Sequence, residues 1–331
     1  MLLGAAYYNA RSMVVSVVIP VLNEERNVRE LHRRLVRVLE AEGADFEIIF
    51  VNDGSSNATR DVLRELHEQD ERAKSVHLAR NFGHQAAISA GLRAASGDAV
   101  VAMDGDLQDA PELLPAFLER WRAGYEVVYA VREHRAGSWI KRLAYKVFYR
   151  TLQRISQVPL PLDSGDFSLM DRRVVNVINE MPERIRFVRG MRSWVGFRQT
   201  GVAQARGERF AGEPKYTSWK LLRLALDGFV GFSYRPLQMA SVFGALVSVI
   251  ALLLAVALVV LKIVHGIPLV GWTSLIVTVL FLGGVQLICV GILGEYVGRI
   301  YDEVRQRPSY VVADVFGKTR LDVGPPRADR L

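Results

Sequence analysis

The chain has a single cysteine among its 331 residues, and two long stretches near its C-terminal end contain no Asp, Glu, Lys or Arg. Because one cysteine, Cys289, cannot form an intrachain disulfide, the sequence excludes a disulfide-stabilised fold and suits a reducing compartment. The charge-free stretches are residues 236–261 and 263–294. Each exceeds the roughly 20 apolar residues that cross a bilayer, so we predict two membrane-spanning helices, about 237–261 and 272–293.

The basic residues around these stretches predict an orientation in the membrane. Two spans joined by a short connection form a hairpin, which places the preceding and following residues on one side of the bilayer. Lysine and arginine residues flank the hairpin at both outer ends, whereas the connection has Lys262 and His265 as its basic residues. By the positive-inside bias, we expect both flanks to be cytoplasmic and the protein to be integral to the inner (plasma) membrane.

The net charge of +7 is not arranged as in a nucleic-acid-binding protein. The sequence shows no basic stripe with interleaved aromatic residues apart from its membrane-proximal segments. Residues 138–155 instead combine an apolar and a basic helical face, and residues 219–232 are similarly apolar just before the first span. We therefore predict an anionic membrane surface as a partner, and no nucleic acid. An ordinary surface helix packed on the sheet is the alternative for residues 138–155.

The N-terminal part alternates between β-branched runs and helical periodicity, which predicts an α/β domain with a mostly parallel sheet and helices on both faces. Strands are predicted at residues 14–20, 46–51, 75–78, 99–103 and 126–131. Ligands of such sheets bind beyond the carboxyl ends of the strands. Polar clusters follow three of these strands directly, at Asn23/Glu24, Asp53 and Asp104/Asp106. We expect them to converge on one crevice.

The segment Asp104-Gly105-Asp106 follows an apolar run and suggests a metal site. Side chains two positions apart on an extended segment point to the same side, and Gly105 leaves room for a close approach. Carboxylates that do not fill a coordination shell suit Mg2+ or Mn2+, with water and a substrate diphosphate supplying the other ligands. Gln108 continues the alternation, so we predict Asp104, Asp106 and Gln108 as metal ligands. Two surface aspartates in a turn is the alternative when this segment is taken alone.

Five short segments occur in a fixed order before the two spans. They are Val18–Glu25 (VIPVLNEE), Val51–Ser55 (VNDGS), Ala79–His84 (ARNFGH), Met103–Gln108 (MDGDLQ) and Ser164–Phe167 (SGDF). This combination resembles the family-2 inverting glycosyltransferases, and within them the polyprenyl-phosphate glycosyltransferases, the group related to dolichol-phosphate mannose synthase and bactoprenol glucosyltransferase. The resemblance covers about residues 14–310. It implies a GT-A fold and inverting transfer of a hexose, with UDP-glucose favoured as donor, to polyprenyl (undecaprenyl) phosphate.

The resemblance also implies roles for individual residues. The nucleoside pocket would be lined by Pro20, Asn23, Glu24 and Asp53, and the metal would be held by Asp104 and Asp106 with Gln108. Asp166 would be the catalytic aspartate, together with the metal-binding Asp106, and Asp163 is the near alternative to Asp166. The basic loop before the membrane would bind phosphates through Arg206, Arg209 and Lys215. Four of the residues singled out also have a simpler interpretation. Asp53 would be a turn residue, Asp166 a turn or helix cap, and His84 a structural histidine. Lys215 would only contact lipid headgroups.

The acceptor chemistry suggests what Asp166 does. A phosphate monoester has a second pKa of about 6, so much of it is already a dianion at neutral pH. A strong general base is then less necessary than for a sugar hydroxyl. We expect Asp166 either to position the acceptor or to take its residual proton, while the metal stabilises the departing diphosphate.

The predicted organisation is a disordered leader (1–13), a GT-A domain (14–214), a juxtamembrane interfacial helix (215–235), two spans (236–294) and a cytoplasmic tail (295–331). Small residues within the spans are compatible with a homo-oligomer. Three alternatives to the favoured function remain. They are the same reaction with GDP-mannose or another UDP-sugar, a processive polysaccharide synthase, and a catalytically silent membrane scaffold. The synthase alternative is weakened because Arg189–Trp194 does not match the Gln-x-x-Arg-Trp motif of those enzymes.

Overall fold

A computed structural model describes residues 13–132, 164–184, 186–204, 235–265 and 271–321. The first part contains β1 (Val14–Val21), α1 (Val28–Ala41), β2 (Asp45–Asn52), α2 (Thr59–Gln69), β3 (Ala73–Leu78), α3 (His84–Ala94), β4 (Ala99–Ala102), a 3-10 turn (Pro111–Leu113), α4 (Leu114–Arg122) and β5 (Val127–Arg132). The remainder contains β6 (Ser164–Asp171), α5 (Arg172–Glu180), α6 (Val188–Trp194), β7 (Gln199–Gln204), α7 (Arg235–His265), α8 (Trp272–Val304) and β8 (Val312–Phe316).

The eight described strands form one sheet in the order β7-β5-β6-β4-β1-β2-β3-β8. β1 is parallel to β2 and β4, β2 is parallel to β3, and β5 is parallel to β7. β6 is antiparallel to both β4 and β5, and β8 is antiparallel to β3. The predicted mostly parallel sheet is confirmed, with β6 and β8 as the strands of opposite direction.

Helices cover both faces of the sheet, as the sequence predicts. Successive side chains of a strand point to opposite faces, and on β1 the consecutive residues Val17 and Val18 are both fully buried in different apolar layers. Val17 belongs to the layer that includes Leu35 of α1, and Val18 to the layer that includes Ile88 of α3. This double burial explains why β1 reads as a continuous β-branched run without polar alternation.

Helices α7 and α8 contain the two predicted spans. Within them, Ala240–Leu261 and Leu275–Val304 are long and apolar enough to cross a membrane. Their apolar side chains are exposed instead of packed in a core, for example Leu252 at 65% and Leu287 at 74%. α8 continues past the predicted end of its span because Glu295 and Arg299 form an (i, i+4) ion pair at 3.0 Å, and polar residues extend the helix beyond its apolar part.

The strand β8 was not predicted from the sequence. It pairs with β3 at the edge of the sheet, where Arg60 forms an ion pair of 2.7 Å with Asp314 and the rings of His77 and Phe316 lie 4.6 Å apart. Residues that follow the two long helices therefore belong to the same sheet as residues that precede them. The leader, residues 138–155 and residues 219–232 lie outside the described residues, apart from Met13, so the predictions made for them remain predictions.

Acidification is expected to destabilise the β3–β8 edge through His77. This side chain is 2% exposed, with Nδ1 3.2 Å from Asn52 Nδ2 and Nε2 2.9 Å from Ser75 Oγ. Burial, reinforced by Arg60, lowers the pKa of His77 from 6.5 to about 4. Neutral imidazole is therefore the folded form. Its contribution to the free energy of unfolding is fully present above pH 6.5 and is lost as the pH falls toward 4, by about 1.4 kcal/mol per pH unit at most.

Thermal unfolding of the full-length protein, followed by intrinsic fluorescence, tests this dependence. At neutral pH His77→Gln is expected to melt at a lower temperature than wild type, because the glutamine amide does not pack as well as the buried imidazole ring. As the pH is lowered from 6.5 to 4.5, this difference in Tm is expected to shrink, since the variant has no imidazole to protonate. A difference that stays constant over this pH range would contradict the assignment.

Candidate active site

The predicted site residues converge on one edge of the sheet. The segments after β1, β2 and β4 reach this edge because these strands are parallel. β6 runs the other way, so its beginning reaches the same edge. Ala102 pairs with Ser168, and continuing this antiparallel register by two residues brings Asp166 opposite Asp104. The topology therefore unites two segments that are far apart in the sequence.

The loops after β1 and β2 are tied together. The Asn23 backbone N–H donates to Ser55 Oγ at 2.9 Å, and Asn23 Oδ1 accepts from the Ser56 backbone N–H at 2.9 Å. Asn23 has a positive φ of 60°, a conformation that asparagine tolerates better than most residues. Glu24 accepts a hydrogen bond from Asn27 Nδ2 at 2.6 Å, and Pro20 is buried at the end of β1. Their roles in nucleoside binding remain predictions.

Asp53 is buried and fastens the loop that leads into α3. Its carboxylate oxygens accept the backbone N–H groups of Phe82 at 2.7 Å and Gly83 at 3.0 Å. The neighbouring Gly54 has φ +69°, and a Cβ there would lie 2.4 Å from the carbonyl carbon of Arg80. Only glycine fits this close approach, so Asp53 and Gly54 together set the position of the loop before His84.

Asp104, Asp106 and Gln108 lie in a turn held against β1. The Asp104 backbone N–H donates to Asp109 at 3.1 Å, and Asp106 Oδ1 accepts the Gln108 backbone N–H at 3.1 Å. Gln204 Nε2 donates to the Gln108 carbonyl at 3.3 Å. A Cβ on Gly105 would lie 2.9 Å from Val21 Cγ1. The glycine was expected to make room for a close approach, and in the structure β1 occupies this space.

The residues of this turn fit a shared divalent cation better than a protein-only cage. Among the described residues, no group of three or more His, Cys, Asp or Glu side chains is arranged to hold a metal ion. Two carboxylates and an amide, however, are hard oxygen donors, and Mg2+ is commonly held by one or two carboxylates together with substrate phosphates. The donor set thus fits Mg2+ or Mn2+ with water and a substrate phosphate completing the shell.

Asp166 lies at the centre of a polar network. His84 Nε2 is 3.4 Å from Asp166 Oδ2 and 3.4 Å from Asp104 Oδ1. Gln85 Nε2 donates to Asp166 Oδ2 at 3.3 Å, and Arg189 Nη2 lies 3.5 Å from Asp166 Oδ1. His84 therefore bridges the predicted metal-binding carboxylate of Asp104 and the predicted catalytic aspartate Asp166.

The surroundings of Asp166 keep it ionised. Burial opposes its charge, but the hydrogen bond with His84 and the charges of Arg189, His84 and Arg192 outweigh this and lower its pKa to about 2. For His84, burial favours the neutral ring, yet the hydrogen bond with Asp166 and the charges of Asp104 and Asp166 raise its pKa. At neutral pH, Asp166 accordingly accepts hydrogen bonds or a proton and does not donate one.

Three residues near Asp166 were not assigned a role from the sequence. Gln85 accepts the Val188 backbone N–H at 2.9 Å through Oε1 while it donates to Asp166, so it joins α6 to the predicted catalytic aspartate. α6 carries Arg189 and Arg192, whose spacing of three places them on neighbouring positions of one helix face. This spacing was visible in the sequence, but nothing there indicated that the helix lies beside Asp166.

Four predicted residues lie outside the described residues. They are Asp163, Arg206, Arg209 and Lys215. Their predicted roles, as an alternative to Asp166 and as phosphate-binding residues, remain predictions.

Comparison with known proteins identifies the family. Residues 16–178 match the model of glycosyl transferase family 2. The chain is 44% identical to the glycosyltransferase YkcC of Bacillus subtilis, with 93% of this chain and 96% of that protein covered. It is 42% identical to the SfII prophage-derived bactoprenol glucosyl transferase of Shigella flexneri, with 91% of this chain and 97% of that protein covered.

A solved structure is similar to this chain at low sequence identity. The mannosyltransferase PcManGT of Pyrobaculum calidifontis, in complex with GDP-Man and Mn2+, is 18% identical, with a TM-score of 0.47 and 67% of this chain and 64% of that chain covered. The sequence identities over nearly the whole chain are the stronger finding. Together with the family match, they show that this chain belongs to glycosyl transferase family 2, the family to which its sequence segments pointed.

Proposed function

We propose that the protein transfers glucose from UDP-glucose to polyprenyl phosphate at the cytoplasmic face of a membrane, with inversion at the anomeric carbon. The observation that carries this proposal is the placement of Asp104 and Asp166 on either side of His84, at 3.4 Å each, in a chain that also has two membrane-spanning candidates. The Shigella flexneri relative supports glucose and a bactoprenol acceptor by its name. The uridine base of the donor and the identity of the sugar are also proposed.

The donor is proposed to lie at the end of β4. Asp104, Asp106 and Gln108 would hold a divalent cation there, and such a cation neutralises negative charge on a diphosphate leaving group. The tied loops after β1 and β2, with Asn23, are proposed to bind the nucleoside. The Asp53 contacts support this indirectly, because they hold the loop before His84 in one position.

The acceptor is proposed to lie beside Asp166. This carboxylate is ionised at neutral pH, so it can orient an acceptor or receive its residual proton. A phosphate monoester with a second pKa of about 6 is already largely deprotonated, so positioning contributes more here than proton abstraction. His84 and Gln85 fix the orientation of the carboxylate from the side of α3.

The cytoplasmic orientation rests on the charge bias of the sequence, and the placement of both flanks on one side is supported by β8. Because β8 and β3 pair in one sheet, the chain must cross the membrane an even number of times between residues 204 and 312. Two spans satisfy this requirement and one does not. The same-side placement of both flanks follows from two spans, and the basic residues favour the cytoplasm as that side.

The proposal is tested by transfer from a panel of radiolabelled UDP- and GDP-sugars in membranes that contain the full-length chain. Undecaprenyl phosphate is the acceptor, and undecaprenol, which has the same chain but no phosphate, is the matched control. The expected product is one glycolipid, formed from UDP-glucose with Mg2+ or Mn2+ and absent with EDTA or undecaprenol. Efficient transfer from GDP-mannose alone would show that the donor is GDP-mannose and not UDP-glucose. A growing polymer would support the processive synthase instead.

A further inference from the structure

Arg192 is a fully buried cation whose charge the described residues do not neutralise by direct pairing. It is 1% exposed, and its Nε and Nη2 groups have no hydrogen-bond partner among the residues that the structure describes. Burial lowers the pKa of Arg192 to about 10, which still leaves the guanidinium protonated at neutral pH. Removing one partner of a buried ion pair is strongly destabilising because an uncompensated charge remains. A cation in such a position is therefore suited to an anion that arrives with a ligand.

Arg192 is within electrostatic range of Arg189 and Asp166, whose charges shift its pKa in opposite directions. Its Cζ is 5.2 Å from the centre of the Tyr129 ring, which holds the guanidinium by a cation–π contact. Arg189 contacts Asp166 at 3.5 Å through Nη2, and its Nε also has no partner within the described part of the chain. Arg189 and Arg192 thus supply two positive charges in the neighbourhood of the one Asp166 carboxylate, with N–H donors that no described residue uses.

The positions of these groups separate two anion sites. Asp166 contacts His84 and Gln85 through Oδ2, and Arg189 through Oδ1. His84 in turn contacts Asp104. Asp104 and Arg189 therefore lie at opposite ends of the contact series Asp104, His84, Asp166 and Arg189. In-line displacement requires the entering and departing groups on opposite sides of the sugar. The diphosphate belongs at the Asp104 end, so the other end is available for the entering phosphate.

We propose that Arg189 and Arg192 form the subsite for the phosphate group of the acceptor, and that Asp166 and Gln85 position α6 and Arg189 for this contact. The proposal rests on the proposed function for the identity of the acceptor. Arginine suits the task because its planar group binds phosphate oxygens through two parallel N–H groups.

The test is the steady-state kinetics of the full-length protein in lipid nanodiscs. In Arg192→Gln, KM for undecaprenyl phosphate is expected to rise about ten- to hundredfold, the range for loss of a charged hydrogen bond. Arg192→Lys is expected to be intermediate, because lysine keeps the charge without the planar pair of donors. KM for the sugar donor is expected to stay within twofold of wild type. Arg33→Gln, on the exposed face of α1, is the matched control and should change neither constant.

The outcomes distinguish this subsite from other roles. A rise in the KM of the donor with no change for the acceptor would assign the arginines to the diphosphate and overturn the proposal. An unchanged KM for both substrates would overturn it as well. If Arg192→Gln does not fold, Arg189→Gln carries the same test, since the Arg189 side chain is 28% exposed and tolerates replacement better.

Binding of decyl phosphate separates this proposal from the proposed function. Calorimetry with this soluble phosphate monoester does not require transfer to a polyprenyl lipid. Decyl phosphate is expected to bind wild type at least tenfold more tightly than Arg192→Gln or Arg189→Gln. If wild type does not glycosylate undecaprenyl phosphate but shows this arginine-dependent binding, the proposed acceptor is wrong and the phosphate subsite stands. If binding does not depend on the arginines, the subsite is wrong whatever the acceptor.

Discussion

Replacing Asp104 and Asp106 together by asparagine is expected to lower the turnover number for sugar transfer by at least about 10³-fold, which corresponds to several kcal/mol of transition-state stabilisation. Asparagine keeps the shape and one oxygen of each side chain but removes the negative charge that attracts a divalent cation. The described residues offer no preformed cluster of three or more His, Cys, Asp or Glu ligands, so the proposed site depends on the two carboxylates for its negative charge. Initial rates of glycolipid formation at saturating donor, titrated with Mg2+ and Mn2+, measure the effect.

The buried Asp109 provides a matched control in the same turn. Its carboxylate accepts the Asp104 backbone N–H at 3.1 Å and is 1% exposed, so it is a structural group. Asp109→Asn retains an oxygen acceptor for this bond and is expected to keep turnover within tenfold of wild type. Two results would contradict the proposed role of the metal. One is wild-type turnover that is equally fast in EDTA, and the other is a double variant that keeps more than a tenth of wild-type turnover.

The sequence was sufficient to predict which strand ends carry the site. β1, β2 and β4 are buried on both faces, so they read as apolar β-branched runs, and the polar residues that follow each run mark its end. Since parallel strands end at one edge, Asn23, Asp53 and Asp104 had to lie near one another. The two membrane-spanning candidates were equally visible, because a long charge-free stretch is a signal that depends on composition alone.

The sequence was not sufficient for features that depend on register and on distant pairing. The contact between Asp104 and Asp166 through His84 requires that β6 run antiparallel to β4, and no local pattern specifies the direction of a strand. Arg192 is an ordinary basic residue in the sequence, and only its burial beside Tyr129 distinguishes it from the many exposed arginines. β8 follows a span and is short, so its signal is weak until its partner β3 is known.

Replacing Asp166 by asparagine is expected to lower kcat/KM for polyprenyl phosphate about 100-fold, within the range found when a positioned acid or base is removed. The variant loses the charge that pairs with Arg189 and His84 while the side chain keeps its size. Since the pKa of Asp166 is about 2, the carboxylate is ionised throughout the range from pH 6 to pH 8. The loss is therefore expected at every pH in this range, which a pH–rate profile of both proteins measures.

Asp171→Asn separates catalysis from stability on the same strand. Asp171 is 3% exposed, accepts a hydrogen bond from Trp121 Nε1 at 3.0 Å and caps α5 by accepting the Arg173 backbone N–H at 2.9 Å. Its replacement is expected to lower Tm because the amide has one oxygen acceptor, so the cap bond and the indole bond, which use different carboxylate oxygens, are not both kept, while kcat/KM stays within threefold of wild type. The opposite pattern is expected for Asp166→Asn. If Asp166→Asn also remains within threefold of wild type from pH 6 to pH 8, Asp166 has no catalytic role, and the network around it serves only to hold α6 against the sheet.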